Sequence, residues 1–90
     1  MKRIHIYVSG LVQGVYFRHN TKIKAEEFGL KGWVRNLSDG RVEIICEGIS
    51  DSIDKMTAWC RKGPRGAYVE NLEIYQDEFI NEFSEFRIEY

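Results

Sequence analysis

Apolar and polar residues alternate from Arg3 to Gly10, with Ile4, Ile6 and Val8 on one side and His5, Tyr7 and Ser9 on the other. A period of two predicts a strand with one buried face. From His19 the spacing lengthens: Thr21, Ala25 and Phe28 recur at i, i+4 and i+7, lysines and glutamates lie between them, and Gly29 supplies a stop. That pattern predicts an amphipathic helix of about ten residues. Two further strand-like runs, Leu30 to Leu37 and Arg41 to Gly48, flank Ser38-Asp39-Gly40 and read as a hairpin.

The hairpin register follows from which side chains each turn would pair. A two-residue Asp39-Gly40 turn pairs Arg35 with Ile44 and Asn36 with Glu43, mixing charged and apolar groups on one face. A three-residue turn with Gly40 left-handed pairs Val34 with Ile44, Asn36 with Val42 and Arg35 with Glu43. The second is predicted. It gathers Val34, Val42, Ile44 and Cys46 on an inner face and places Asn36 on that face at the end of its strand.

Ile53, Met56 and Cys60 mark one side of a second helix, with Ser50 or Asp51 as its cap and Gly63-Pro64 as its end. Tyr68 to Tyr75 is strand-like, but Val69 is out of phase with Leu72 and Ile74, which predicts a bulge or a late strand start. Phe83 to Tyr90, with Phe86 and Ile88 alternating, can close the sheet. The order is strand, helix, strand, strand, helix, strand, with a short final strand. It predicts an α+β, ferredoxin-like sandwich: βαββαβ plus a short strand, two helices on one face of a mostly antiparallel sheet.

Ninety residues support one core, so residues 1–90 are expected to form a single domain. Hydrophobic residues at 43% and charged residues at 30% suit a folded, soluble monomer. Thirteen basic side chains against fourteen acidic ones, with no basic block, argue against nucleic-acid or membrane partners. Met1-Lys2-Arg3 leads into alternation rather than an apolar run, so neither a signal peptide nor a membrane span is expected, and the location expected is cytoplasmic. Cys46 and Cys60 lie in apolar-periodic segments. His5 and His19 are far from them without metal-ligand spacing, so buried free thiols and no metal site are expected.

Candidate chemistry gathers in Gly10-Leu11-Val12-Gln13-Gly14-Val15-Tyr16-Phe17-Arg18, where a strand gives way to a two-glycine loop and an arginine as the helical pattern begins. Backbone N–H groups freed by a tight loop and a helix start can converge on one anion, and a guanidinium adds a rigid, permanently charged fork. A helical crossover makes the first and second strands parallel, so their C-terminal ends lie at one end of the sheet. Arg18 and Asn36 are thereby predicted to face one pocket. An amide on an inner face needs a hydrogen-bond partner, so Asn36 either caps the hairpin turn or holds something at the site.

Gly10-x-Val12-Gln13-Gly14-Val15-x-Phe17-Arg18, then Thr21, Gly29-Leu30, Gly32-Trp33-Val34-Arg35-Asn36 and Asp39-Gly40-x-Val42-Glu43 resemble the acylphosphatase family. The likeness continues through Gly63-Pro64, Ala67-x-Val69 and Phe86-x-Ile88-x-Tyr90 in the family's order. It implies metal-independent, cofactor-free hydrolysis of a carboxyl–phosphate anhydride, giving a carboxylate and inorganic phosphate. By position it implies a phosphate-binding Arg18, a water-orienting Asn36, and phosphate-binding backbone donors from Gln13, Gly14, Val15, Tyr16, Phe17 and Arg18. Two departures stand out: Leu11 where many members carry a basic or small polar residue, and Arg65-Gly66 after Pro64. Leu11 and Tyr16 border the loop and could alter substrate preference or rate.

Other residues invite simpler readings. Thr21 is expected to brace the helix or loop, Trp33 and Trp59 to pack, and His19 to be a solvated helix-start residue. An RNA-recognition module shares the element order, but Arg41-Val42-Glu43-Ile44-Ile45-Cys46 offers no aromatic pair for stacking bases. A small-ligand regulatory module is a second rival, since fold does not fix function. An acylphosphatase-like domain of a larger carbamoyl-transfer maturation protein is a third. With the sequence ending at Tyr90 and lacking zinc-finger cysteines, a stand-alone enzyme is expected instead.

Overall fold

A computed structural model describes all 90 residues. The first alternating run forms β1 (Lys2–Leu11), the helical pattern α1 (Phe17–Glu27), and the hairpin β2 (Lys31–Asn36) and β3 (Val42–Gly48). Then come α2 (Ser50–Lys62), β4 (Tyr68–Asp77) and β5 (Phe86–Ile88). The sheet runs β4-β1-β3-β2-β5. β1 pairs antiparallel with β3 and β4, β2 antiparallel with β3, and β5 parallel with β2. This is the ferredoxin-like sandwich with a fifth, parallel edge strand.

Both helices cover one sheet face. Ile4, Ile6 and Val8 of β1 join Val34 of β2 and Val42, Ile44 and Cys46 of β3 in a single buried cluster with Phe17, Ala25, Ile53, Met56 and Cys60 of the helices. Burial of an aliphatic or aromatic side chain contributes about 1.5–3 kcal/mol, so this stripe dominates the energetics.

The hairpin register is the predicted one: Val34 opposes Ile44, Arg35 opposes Glu43 and Asn36 opposes Val42. The Leu37 N–H donates to the Arg41 carbonyl at 2.8 Å and the Gly40 N–H to the Leu37 carbonyl at 3.2 Å, closing the three-residue turn. Gly40 is left-handed, with φ of 96°.

The phase problem in β4 resolves as a bulge. Ser9 pairs with Asn71 but Gly10 pairs with Val69, leaving Glu70 as the extra residue. Val69 and Leu72, three positions apart, therefore both pack on the core. Gly10 is required here because a Cβ on it would lie 2.2 Å from the Tyr68 carbonyl oxygen.

Both helix starts differ from expectation. Helix α1 starts at Phe17, two residues before His19, because Tyr16 takes the left-handed N-cap conformation and Phe17 continues the Thr21, Ala25 stripe inward. Neither Ser50 nor Asp51 caps α2. Ile49 occupies that position in an extended conformation without a side-chain bond, Ser50 is already helical, and Asp51 sits in the first turn, 3.5 Å from Lys55. There its charge opposes the positive end of the helix dipole.

The opposite sheet face carries two buried carboxylates. Glu43 accepts from Arg35 Nε at 2.6 Å and lies 2.6 Å from His5 Nε2. Glu47 lies 3.3 Å from Arg3 and accepts the N–H groups of Ile80, Asn81 and Glu82 at 3.0–3.2 Å, drawing the segment before β5 across the face.

Candidate active site

Because β1 and β2 both run antiparallel to the β3 strand between them, their C-terminal ends meet at one end of the sheet. Between the loop after β1 and the end of β2 lies a cavity of about 520 Å³, lined by Val12, Gly14, Tyr16, Phe17, Arg18, His19, Asn36, Ile88 and Tyr90. Arg18 and Asn36 thus face one space.

Apolar pegs fix the loop. Val12 and Phe17 are buried, Val15 packs against the core, and the Phe17 ring lies 5.4 Å from that of Trp59. Gly14 and Tyr16 turn the backbone with φ of 75° and 61°. Gln13 adds a polar tether: its Nε2 donates to the Leu37 carbonyl at 2.8 Å and the Arg41 carbonyl at 2.9 Å. No backbone N–H from Val12 to His19 has a backbone acceptor in the chain; the first that does is Asn20, donating to the Tyr16 carbonyl at 3.1 Å. A run of unpaired donors that continues into a helix N-terminus favours an anion.

Arg18 carries the only permanent positive charge in the cavity lining. The other half-buried arginines, Arg3 and Arg41, are paired with carboxylates, whereas Arg18 has no such partner. Its guanidinium carbon instead lies 5.2 Å from the centre of the Tyr90 ring, a cation–π contact that holds the group without neutralising it.

The Asn36 side chain does not cap the hairpin turn. The hairpin turn is braced by Gln13 and by Asp39, whose carboxylate accepts the Arg41 N–H at 3.1 Å. Asn36 takes no part. Its Oδ1 is buried without any hydrogen-bond partner, a state that costs on the order of 1–3 kcal/mol.

Of the residues singled out by sequence, Gly14, Tyr16, Phe17, Arg18 and Asn36 line the cavity. The Gln13 and Val15 side chains point elsewhere, to the hairpin turn and the core, so only their backbone can serve an anion. Tyr90 and Ile88 as cavity residues, and the tether made by Gln13, were not read from sequence. Tyr90 continues the Phe86, Ile88 alternation, so the sheet position of β5 was the missing information. His19 lines the cavity as well, exposed.

The remaining candidates have structural roles. The Thr21 hydroxyl donates to the Phe17 carbonyl at 2.7 Å. Trp59 packs on the core, and Trp33 lies on the opposite face with Arg35 4.9 Å above its ring. Cys46 and Cys60 are buried free thiols; burial pushes the Cys46 thiol up to about 12, and burial followed by the neighbouring Cys46 pushes Cys60 higher still.

The family model for acylphosphatase matches residues 4–88. An acylphosphatase of Methylococcus capsulatus is 50% identical over 88 residues, covering 98% of this chain and 96% of its own. The crystal structure of acylphosphatase from Bacillus subtilis superposes with a TM-score of 0.96 at 32% identity, covering both chains fully. An acylphosphatase structure from Coxiella burnetii gives 0.92 at 44% identity, covering 98% of this chain and 92% of its own. Sequence and fold agree over nearly the whole length, and the chain belongs to the acylphosphatase family.

Proposed function

We propose that residues 1–90 work as one acylphosphatase domain, hydrolysing the carboxyl–phosphate anhydride of an acyl phosphate to a carboxylate and inorganic phosphate, with Arg18 and Asn36 as the catalytic residues. The carrying observation is that one cavity is lined by an arginine with no carboxylate partner and by Asn36, whose buried amide oxygen has no hydrogen-bond partner.

In this scheme the Arg18 fork and the backbone N–H groups from Gln13 to Arg18 hold the phosphoryl oxygens. The Asn36 side-chain amide hydrogen-bonds a water and sets it in line behind phosphorus. Water oxygen bonds to phosphorus, the phosphorus–acyl oxygen bond breaks, and its electron pair leaves on the carboxylate. The water's proton passes to a phosphoryl oxygen. A carboxylate is stable at neutral pH, so the step needs no strong general acid. Positioning and fixed charge supply the catalysis.

The reading is of a monomeric, cytoplasmic enzyme without nucleic-acid or membrane partners. It is supported by a net charge of −1 without a basic block. No helix is long and apolar enough to cross a membrane.

The test is hydrolysis of benzoyl phosphate in the presence of a chelator by the parent protein and by Arg18→Ala. Turnover by the parent that falls at least about 100-fold in a folded variant is expected. A folded parent without turnover, or a variant near parent activity, overturns the reading.

A further inference from the structure

Tyr16 and Asn81 are the only residues other than glycine with φ in the left-handed region. Asparagine adopts it readily, while a tyrosine there is uncommon and strained. The carbonyl of Tyr16 is gripped twice, by the Asn20 N–H at 3.1 Å and by Asn20 Nδ2 at 2.9 Å, which holds the conformation in place. Such strain is ordinarily offset by packing, yet Tyr16 is 79% exposed. A bulky residue held in a costly conformation at a site rim, with no return from burial, is the pattern of a group whose contacts are made with a ligand.

The surroundings define that ligand's chemistry. Tyr16 lines the same cavity as Arg18 and Asn36, together with the apolar Val12, Ile88 and the 99% exposed Tyr90. Leu11, 58% exposed, immediately precedes the loop. With Arg18 committed to the phosphoryl group, no second permanent cation lines the cavity to receive a charged acyl group.

Resting on the acyl phosphate reading above, we infer that Tyr16 is a specificity-determining residue whose ring packs against the acyl portion of the substrate, so that aromatic or bulky apolar acyl phosphates are preferred over small ones. Aromatic contact of this kind corresponds to roughly tenfold in discrimination.

The test is the ratio of kcat/KM for benzoyl phosphate to that for acetyl phosphate in the parent, Tyr16→Phe and Tyr16→Ala. The parent should favour benzoyl phosphate, Tyr16→Phe should keep the ratio within about threefold, and Tyr16→Ala should lower it about tenfold. A ratio unchanged in Tyr16→Ala, even if both rates fall together, overturns the inference and leaves Tyr16 a loop-shaping residue. Calorimetric binding of benzoylphosphonate and acetylphosphonate separates the two readings. A Tyr16-dependent preference for the benzoyl compound in a protein that hydrolyses neither substrate sinks the hydrolytic reading alone, and binding without preference sinks this inference.

Discussion

The side-chain amide of Gln13 donates to the Leu37 carbonyl at 2.8 Å, across 24 residues of sequence and one position beyond Asn36. With the second bond, to Arg41, it ties the loop leading to Arg18 to the strand end that carries Asn36. Each carbonyl also accepts a backbone N–H, so Gln13→Ala strips neither of all partners. We expect a loss of about 1–2 kcal/mol in stability. The larger effect should be on kcat/KM, about tenfold or more, because sub-ångström looseness between the two groups proposed as catalytic is costly. Steady-state kinetics and urea unfolding of the same variant check both; a stability loss with intact activity would make the tether purely structural.

Asn36→Ala separates function from folding. Its oxygen has no partner, so removing it should leave stability unchanged or slightly raised, while kcat drops roughly 100-fold with KM within a fewfold. A rise in KM alone would reassign Asn36 to binding. A fall in stability would point to a structural bond.

Acid should weaken the fold through the open sheet face. For Glu47, burial alone would raise the carboxyl, but the Ile80 N–H, Arg3 and the Glu82 N–H outweigh it and hold the group below its ordinary 4.5. Glu43 behaves alike: burial is opposed and exceeded by Arg35 and His5. A depressed folded-state value means that the unfolded chain binds the proton first. The stabilisation is therefore complete above about 4.5 and is lost as pH falls through the lower folded values. Urea unfolding from pH 7 to 3 should show that loss, and Glu47→Gln should start less stable and fall less steeply.

Cys46 and Cys60 should ignore thiol reagents at neutral pH, since both are buried and burial holds the Cys46 thiol at about 12. Titration with an aromatic disulfide should find both thiols in denaturant and neither in the native protein. Rapid native labelling would reveal an opening motion of β3 away from α2.

Much of this arrangement was legible from periodicity. Val34, Asn36, Val42 and Ile44 share a face only in one register, so the hairpin could be derived, and with it the placement of Asn36. Val69 signalled the bulge by being out of step with Leu72. Information set by tertiary pairing was less accessible. Three residues of β5 carry no sign of which edge they join, and so Tyr90 beside Arg18 was invisible. The start of α1 was missed because Tyr16, a poor candidate for a left-handed cap by residue type, adopts that role. Gln13 and Val15 show a related limit: a motif places residues in a loop but not the direction of each side chain.

The bulge at Glu70 has a consequence for how molecules of this protein meet one another. β4 is an outer strand ten residues long, with Ile74 and Tyr75 exposed, and its free edge could template another chain. The kink at Glu70 and the charges of Glu73 and Asp77 spoil that edge for pairing. The acidic pH that undermines Glu43 and Glu47 loosens β3 and, through β1, the seat of this edge strand. Partial unfolding and edge exposure should then arrive together, and light scattering at pH 4 should detect assemblies absent at pH 7.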